Sequence, residues 1–149
     1  MNLRLQVNPH LLLNSFNMIY NLAQSKNFRS IQDFSLHLAD YFRYALKQND
    51  KLVPLEAEMK FVLSFLEVQK IRFPGAFTSV YSIDDGLEKV PVPPLLVENF
   101  VENSIKYGLK LGSTIEIIII IRRQENRLLI SICDTGNGVE PDVLEQLRQ

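Results

Sequence analysis

Apolar residues recur at helical spacing over the first part of the chain, and the positions between them are mostly polar. This pattern predicts a first amphipathic helix, whose apolar face is made of Leu12, Phe16, Ile19 and Ala23. Asn8 and Pro9 mark its start. An amide side chain there can cap free N–H groups, and proline has no N–H to leave unpaired.

A second helix follows, with apolar positions at Phe34, Leu38, Tyr41 and Ala45. Ser30 and Asp33 resemble a capping box at its start, and Ser25-Lys26-Asn27 is predicted to turn the chain between the two helices. Residues 1–50 should therefore form an antiparallel helical hairpin. A hairpin of this length can bury its apolar face only against another surface, so we expect it to dimerise as a four-helix bundle.

The remaining residues, 51–149, combine helices with strands. Pro54 starts a third helix that ends near Pro74-Gly75, and a fourth helix follows Pro94. Alternating or continuous apolar runs predict three strands, at Phe77–Ile83, Thr114–Arg122 and Arg127–Cys133. The last two should form a hairpin with its turn at 124–126, and a final helix should begin near Glu140. The predicted fold class is α+β.

Composition limits the classes of function. A chain of 149 residues with 46% hydrophobic residues can bury a core as one domain or two small ones. A net charge of −1 and a pI near 6.1 argue against a nucleic-acid or anionic-membrane surface. Cys133 is the single cysteine, which excludes an intramolecular disulfide, and its apolar surroundings predict burial. The apolar run 117–121 is too short to cross a bilayer.

Two short stretches carry nucleotide-binding chemistry. On the fourth helix, Asn103 and Lys106 lie one turn apart, where an amide oxygen can ligate a hard cation and an ammonium can meet phosphate. At the end of the last strand, Asp134 enters a turn with Gly136 and Gly138. Its carboxylate can accept a hydrogen bond from an adenine amino group, and the glycines allow close backbone approach. Taken separately, a solvated helix face and a plain strand-to-helix turn remain open.

His10 lies in the first turn of the first helix. The partial positive charge of a helix N-terminus favours neutral, nucleophilic imidazole and also attracts a phosphoryl group carried on the ring. Asn14, one turn further on, could orient the ring through a hydrogen bond. Without other motifs, a solvated histidine would be the better interpretation. His37, in the middle of the second helix, receives that interpretation.

Three motifs together point to a known family. The chain reads QVNPHLLLNSFN at 6–17, PPLLVENFVENSIKYG at 93–108 and DTGNG at 134–138. It resembles the cytoplasmic part of sensor histidine kinases of the LytS/YehU type, whose pattern runs NPHFLFN[ST]LN, then PPLLxQPLVENAIKHG, then DxGxG. The resemblance covers nearly the whole chain in the same order.

The resemblance implies a domain organisation and an activity. Residues 1–50 would be the dimerising, histidine-containing hairpin, and residues 51–149 an incomplete α/β sandwich of the histidine-kinase ATPase (Bergerat) type. His10 would take the γ-phosphoryl group of ATP and pass it to an aspartate of a response-regulator protein. The chain would be a fragment from the cytoplasmic portion of a bacterial inner-membrane sensor, attached to the membrane only through segments upstream.

The same resemblance assigns nucleotide-binding roles. Asn103 corresponds to the Mg²⁺ ligand and Asp134 to the adenine-binding carboxylate. Lys106 lies where it could meet phosphate, and Tyr107 replaces the usual histidine and could pack on the nucleotide or bond to phosphate. Asn99 stands where the family pattern has proline, but other histidine kinases carry an amide there, so a second polar contact is expected. Gly136 and Gly138 complete the glycine turn.

Departures from the pattern weaken some of these expectations. Leu11 and Leu13 replace phenylalanines, which should alter packing more than chemistry. Many other histidine kinases have an acidic residue directly after the histidine, but Leu11 occupies that position, so Glu102 is the remaining candidate for a general base. The lid and second glycine-rich segment of the family are not found before Gln149. We therefore expect weak nucleotide binding, testable by isothermal titration with an ATP analogue and Mg²⁺, and poor or absent autophosphorylation by this fragment.

Two other classes of function stay open. The first is a non-catalytic module for dimerisation and partner docking that keeps the motifs without turnover. The second is an ATPase of the related chaperone or topoisomerase type, which is disfavoured because Asn99 stands where such enzymes carry a water-activating glutamate.

Overall fold

The computed structural model describes residues 9–46, 51–109, 112, 114–136 and 138. Helices and strands are both present, so the predicted α+β class is confirmed. In chain order the described elements are α1 (Pro9–Gln24), α2 (Phe28–Leu46), β1 (Val53–Pro54), α3 (Leu55–Arg72), β2 (Phe77–Ile83), β3 (Pro91–Val92), α4 (Leu96–Gly108), β4 (Ile115–Gln124) and β5 (Arg127–Asp134). The predicted domain boundary near residue 50 and the final helix lie outside the described residues.

The turn between α1 and α2 is where it was predicted, but its cap is different. Lys26 adopts a left-handed conformation with φ of 56°, and the Asn27 N–H donates to the Leu22 carbonyl at 3.0 Å. Asn27 then caps α2, because its Oδ1 accepts a hydrogen bond from the Ser30 N–H at 3.2 Å. The capping box predicted at Ser30 and Asp33 is therefore wrong, since α2 has already begun at Phe28.

The inward face of α1 is distinct from its predicted apolar face. Leu11 and Ser15 are the buried residues, and the Ser15 hydroxyl donates to the Leu11 carbonyl at 2.6 Å. Leu12 and Phe16, from the apolar face predicted by spacing, are 37% and 63% exposed. This exposure does not contradict the prediction, which leaves the apolar face to be covered by another surface. An apolar surface of α1 consequently faces outward.

The central helix is α3, which contacts α2 and α4. Ten of its 18 residues are buried, as expected of a helix covered on most sides. On the α2 side, the rings of Tyr41 and Tyr44 stack on Phe61, with centroid distances of 4.8 and 4.4 Å. The helical region and the strand-containing region thus share one apolar core.

The main sheet has the strand order β2-β4-β5. β2 runs parallel to β4, and β5 returns antiparallel from β4 through a two-residue turn. Both the strand at Phe77–Ile83 and the hairpin confirm the prediction. One face of β4 is fully buried, through Ile115, Ile117, Ile119 and Ile121. A second, two-stranded sheet pairs β1 with β3 antiparallel.

Cys133 is exposed, so the predicted burial of this side chain is wrong. Side chains alternate between the two faces of a strand, and Cys133 points to the face opposite Ile130 and Ile132. None of the helices in the described ranges is long and apolar enough to cross a membrane.

Candidate functional site

A cleft of about 450 Å³ lies between the start of α1, the end of α3 and the C-terminal half of α4. Its polar lining consists of His10, Gln69, Arg72, Glu102 and Lys106. Three of these residues were candidates from sequence. Gln69 and Arg72 were not, because they looked like ordinary polar positions on a predicted helix.

His10 is exposed at the mouth of this cleft. The expected contact with Asn14 is present, with Nδ2 of Asn14 lying 2.9 Å from Nδ1 of His10 and 3.4 Å from Nε2. Both residues lie on α1 one turn apart, so the helix itself sets this geometry. Asn14 therefore restrains the imidazole ring without covering it.

Glu102 and Lys106 project from α4 toward the same cleft. They are one helical turn apart, and Glu102 is half-buried while Lys106 is exposed. The Lys106 Nζ also lies 5.3 Å from the centroid of the Tyr107 ring, as a cation–π contact. A carboxyl group and an ammonium thus share one cavity with the histidine.

The other candidates on α4 lie on a different face. Asn99, Asn103 and Tyr107 are exposed and do not line the histidine cleft. Their positions are opposite the buried face of the helix, which is made of Val97, Val101, Ile105 and Gly108. α4 therefore has two polar faces. One carries Glu102 and Lys106 and lines the histidine cleft, and the other carries Asn99, Asn103 and Tyr107 and is exposed to solvent.

The glycine turn packs beside the end of α4. Asp134 accepts a hydrogen bond from the Gly136 N–H at Oδ1, over 3.0 Å. A Cβ added to Gly136 would lie 3.6 Å from Cα of Gly108, so the chain passes the helix end closely. Gly138 has a φ of +74°, which favours glycine, while Asn137 lies outside the described residues. The second and third sequence motifs are neighbours in space.

The start of α4 is held by a residue that the sequence did not reveal. Glu58 of α3 is fully buried and accepts hydrogen bonds from the Val97 N–H at Oε1 (3.0 Å) and the Leu95 N–H at Oε2 (2.9 Å). Leu95 has a φ of 63°, and α4 has no side-chain cap of its own. Tyr44 of α2 donates its hydroxyl to the same Oε2 at 2.7 Å. A glutamate in the first turn of a helix is common because it complements the helix dipole, so its position in the sequence does not indicate a cap for another helix.

Burial and like charges shift titrations around α4. Burial raises the pKa of Glu98 to about 8, and the neighbouring Glu102 and Glu58 add to the shift. The pKa of Tyr41 is raised for the same two reasons, first burial and then the nearby Glu98 and Glu102. Among the described residues no three His, Cys, Asp or Glu side chains could jointly hold a metal ion.

Comparison with known proteins identifies the family. The family model described as Histidine kinase matches residues 1–77, about half of the chain. The chain belongs to the histidine kinase family. The matched region includes His10 and Asn14 together with the whole of α3. The resemblance inferred from the three motifs is confirmed at this level.

Individual relatives extend the similarity beyond the matched region. The chain is 33% identical over 145 residues to the sensor protein LytS of Oceanobacillus iheyensis, covering 96% of this chain. It is 30% identical over 147 residues to that of Bacillus subtilis and 31% identical over 150 residues to that of Staphylococcus haemolyticus. The chain spans about a quarter of the length of these curated relatives, namely 25%, 25% and 26%.

Proposed function

We propose that this chain provides the phosphoacceptor and part of the nucleotide site of a two-component sensor kinase. His10 takes the γ-phosphoryl group of ATP and then passes it to an aspartate of a response regulator. The observation that carries the proposal is the cleft in which an exposed His10, restrained by Asn14, meets Glu102 and Lys106 of α4. The sequence motif for nucleotide binding is on that same helix.

The transfer step needs a ring nitrogen with a free lone pair. An amide can be rotated so that Oδ1 of Asn14 faces Nδ1 of His10 and accepts a hydrogen bond from its N–H, which leaves the lone pair on Nε2. Nε2 attacks the γ-phosphorus, a nitrogen–phosphorus bond forms, and the bond to the bridging oxygen breaks with its electron pair leaving on ADP. The imidazolium proton then passes to the carboxylate of Glu102 or to water.

The outward face of α4 is the proposed nucleotide surface. Asn103 supplies an amide oxygen to Mg²⁺, and phosphate oxygens and water complete the coordination, as is usual for a magnesium nucleotide. Lys106, which lines the histidine cleft next to this face, neutralises phosphate charge, and Asn99 and Tyr107 give further polar or ring contacts. Asp134 accepts a hydrogen bond from adenine, with Gly136 and Gly138 allowing the close approach. Support comes from the exposure of this face and from the contact between Gly136 and α4.

The proposed kinase fragment is a homodimer. Leu12, Leu13, Phe16 and Tyr20 leave an exposed apolar stripe on α1, with exposed fractions between 37% and 64%. We name these four residues the α1 stripe. A second copy would bury it in a helical bundle, in the cytoplasmic part of a bacterial membrane sensor. The relatives are bacterial proteins named sensors, which supports this setting.

Incubation with γ-labelled ATP and Mg²⁺ tests the proposal in the longest native form of the protein. We expect a label that is labile in acid and stable in alkali, as phosphohistidine is. His10→Gln should abolish the label while ATP binding persists, and the matched control His37→Gln should keep it. Retention of the label in His10→Gln would move the acceptor elsewhere.

The second candidate function is a non-catalytic dimerisation and docking module. The α1 stripe favours it, because an apolar surface of this kind serves a binding protein equally well. Incubation with γ-labelled ATP separates the two functions. A wild-type protein that dimerises and binds a regulator but takes no label from ATP is a docking module.

A further inference from the structure

We propose that Arg72 is the residue that binds the phosphoryl group while His10 carries it. The inference rests on the proposed function and adds to it a residue on α3, outside the three sequence motifs. Arg72 is the last residue of α3 and lines the same cleft as His10, across from α4. A group on the imidazole ring would enter a cavity that already holds a guanidinium.

The Arg72 side chain is held in place by its neighbours. Its Nη1 donates to Oε1 of Gln69 at 3.1 Å, and Gln69 is only 4% exposed, so the acceptor is fixed in the core. The guanidinium carbon also lies 5.0 Å from the centroid of the Phe73 ring. A guanidinium has five N–H donors, so donors remain for an anion after the bond to Gln69. Little conformational entropy is then lost on binding.

The local charge favours a phosphoryl group. Burial lowers the pKa of Arg72 and the nearby Glu102 opposes that shift, and the guanidinium stays charged because its pKa is so high. A half-buried cation interacts with an anion more strongly than an exposed one does. Arg72 and Lys106 supply two positive charges against one negative charge of Glu102, so the charged side chains of the cleft leave a net positive charge facing the roughly two negative charges of a phosphoryl group. Arginine in addition matches phosphate geometry through two parallel hydrogen bonds.

Chemical phosphorylation isolates this interaction from ATP. The full chain, prepared without a histidine tag and carrying His37→Gln, has His10 as its only histidine. Phosphoramidate transfers its phosphoryl group to the imidazole and releases ammonia. Phosphorus NMR then follows the second ionisation of the phosphoryl group with pH. The same chain unfolded in urea gives the midpoint without the cleft.

We expect the folded chain to titrate at lower pH than the unfolded chain, because a neighbouring cation stabilises the dianion. Arg72→Gln should raise the midpoint by about 0.5 to 1 pH unit, and Arg72→Lys should restore part of the shift. Arg43→Gln is the matched control: it changes an exposed arginine of α2 that does not line the cleft and should leave the midpoint unchanged. Circular dichroism checks that each variant is folded.

Equal midpoints in the folded and urea-unfolded chain, or in wild type and Arg72→Gln, would overturn the inference. So would a folded chain that phosphoramidate leaves unlabelled while free histidine reacts. Labelling by phosphoramidate needs no nucleotide, so it can succeed in a protein that ATP does not label. If folding lowers the titration midpoint of such a protein as expected, the kinase proposal is refuted and the role of Arg72 stands.

Discussion

At the scale of single residues, the protonation of Glu98 depends on where α4 places it. Glu98 is 4% exposed, and its pKa of about 8 is set first by burial and then by Glu102 and Glu58. At pH 7 the group is mostly neutral in the folded chain. In the unfolded chain it ionises near its ordinary pKa of 4.5. Folding is therefore coupled to the uptake of a proton at this position.

Replacing Glu98 with Gln should remove this dependence on pH. The stability that protonated Glu98 contributes is fully present below pH 4.5 and is lost as pH rises toward 8, because only the unfolded chain gives up the proton in that range. Glu98→Gln should flatten the fall in the free energy of unfolding and stabilise the protein at pH 8 by about 1 to 4 kcal/mol. Urea unfolding at several pH values measures this.

The matched control is Glu88→Gln, which changes an exposed glutamate outside α4. It should leave the pH dependence as in the wild type. A Glu98→Gln variant that follows the wild-type curve between pH 5 and 8, a range spanning the shift toward about 8, would contradict the assignment.

Sequence identified the residues with recognisable motifs and missed those that act through burial. His10 and Asn14 are one turn apart on one helix, so their contact follows from helix geometry. Glu58 of α3 has its partners on α2 and at the start of α4, and Arg72 of α3 lines a cleft whose other walls are α1 and α4. No local pattern encodes such contacts, because they depend on how the helices pack. A charged residue within a largely apolar helix was the available signal.

At the scale of elements, three helices meet at one carboxyl group. Glu58 of α3 caps the start of α4 through the N–H groups of Leu95 and Val97, and Tyr44 of α2 donates to the same group. Since α4 has no side-chain cap of its own, its position depends on α3. The hydroxyl of Tyr44 connects this arrangement to the helical region that carries His10.

Removing either side chain of the hydrogen bond between Tyr44 and Glu58 should lower the free energy of unfolding, by different amounts. Tyr44→Phe removes one hydrogen bond and keeps the ring on Phe61, so we expect a loss of about 1 kcal/mol. Glu58→Gln replaces an acceptor of the buried cap by an amide NH₂ group and should cost about 2 to 3 kcal/mol. Urea unfolding of both variants and of the double variant gives the coupling energy between them.

The control for this cycle is Tyr20→Phe, since Tyr20 is exposed on α1 and its hydroxyl accepts from the Gln24 side chain. It should have little effect. If the losses in Tyr44→Phe and Glu58→Gln simply add, the two side chains act independently, and the hydrogen bond does not link the helices energetically.

Strands were predictable from sequence because alternation is a local property. The bounds of β2 agree residue for residue, and the turn of the β4–β5 hairpin was also correct. Helix ends were less predictable from sequence. Asn27 caps α2 three residues before the predicted cap, because several residues around the turn can act as an N-cap. The inward residues of α1, Leu11 and Ser15, were not predicted, because both sides of this helix carry apolar residues.

At the scale of the whole molecule, the α1 stripe is the surface that a second copy would cover. Phe16 is 63% exposed on this stripe. A charge there would have to be buried without a partner in a dimer, at a cost of several kcal/mol. We expect Phe16→Glu to convert a dimer into a monomer, measured as the molar mass by light scattering after gel filtration.

Asn17→Glu introduces the same charge at the neighbouring exposed position and should leave the mass at that of a dimer. A wild-type chain that is monomeric at all accessible concentrations would show that the α1 stripe does not mediate self-association. Circular dichroism confirms that α1 stays helical in both variants.

The hydrogen bond from Tyr44 to Glu58 also bears on the design of chimeric kinases. A splice that takes the histidine-bearing helices from one relative and the rest from another would fall in the segment between α2 and α3. Tyr44 then comes from one parent and Glu58 from the other. Grafts whose parents both keep this phenol and this carboxyl group should stay folded, whereas mismatched parents leave Glu58 with only the two N–H donors at the start of α4.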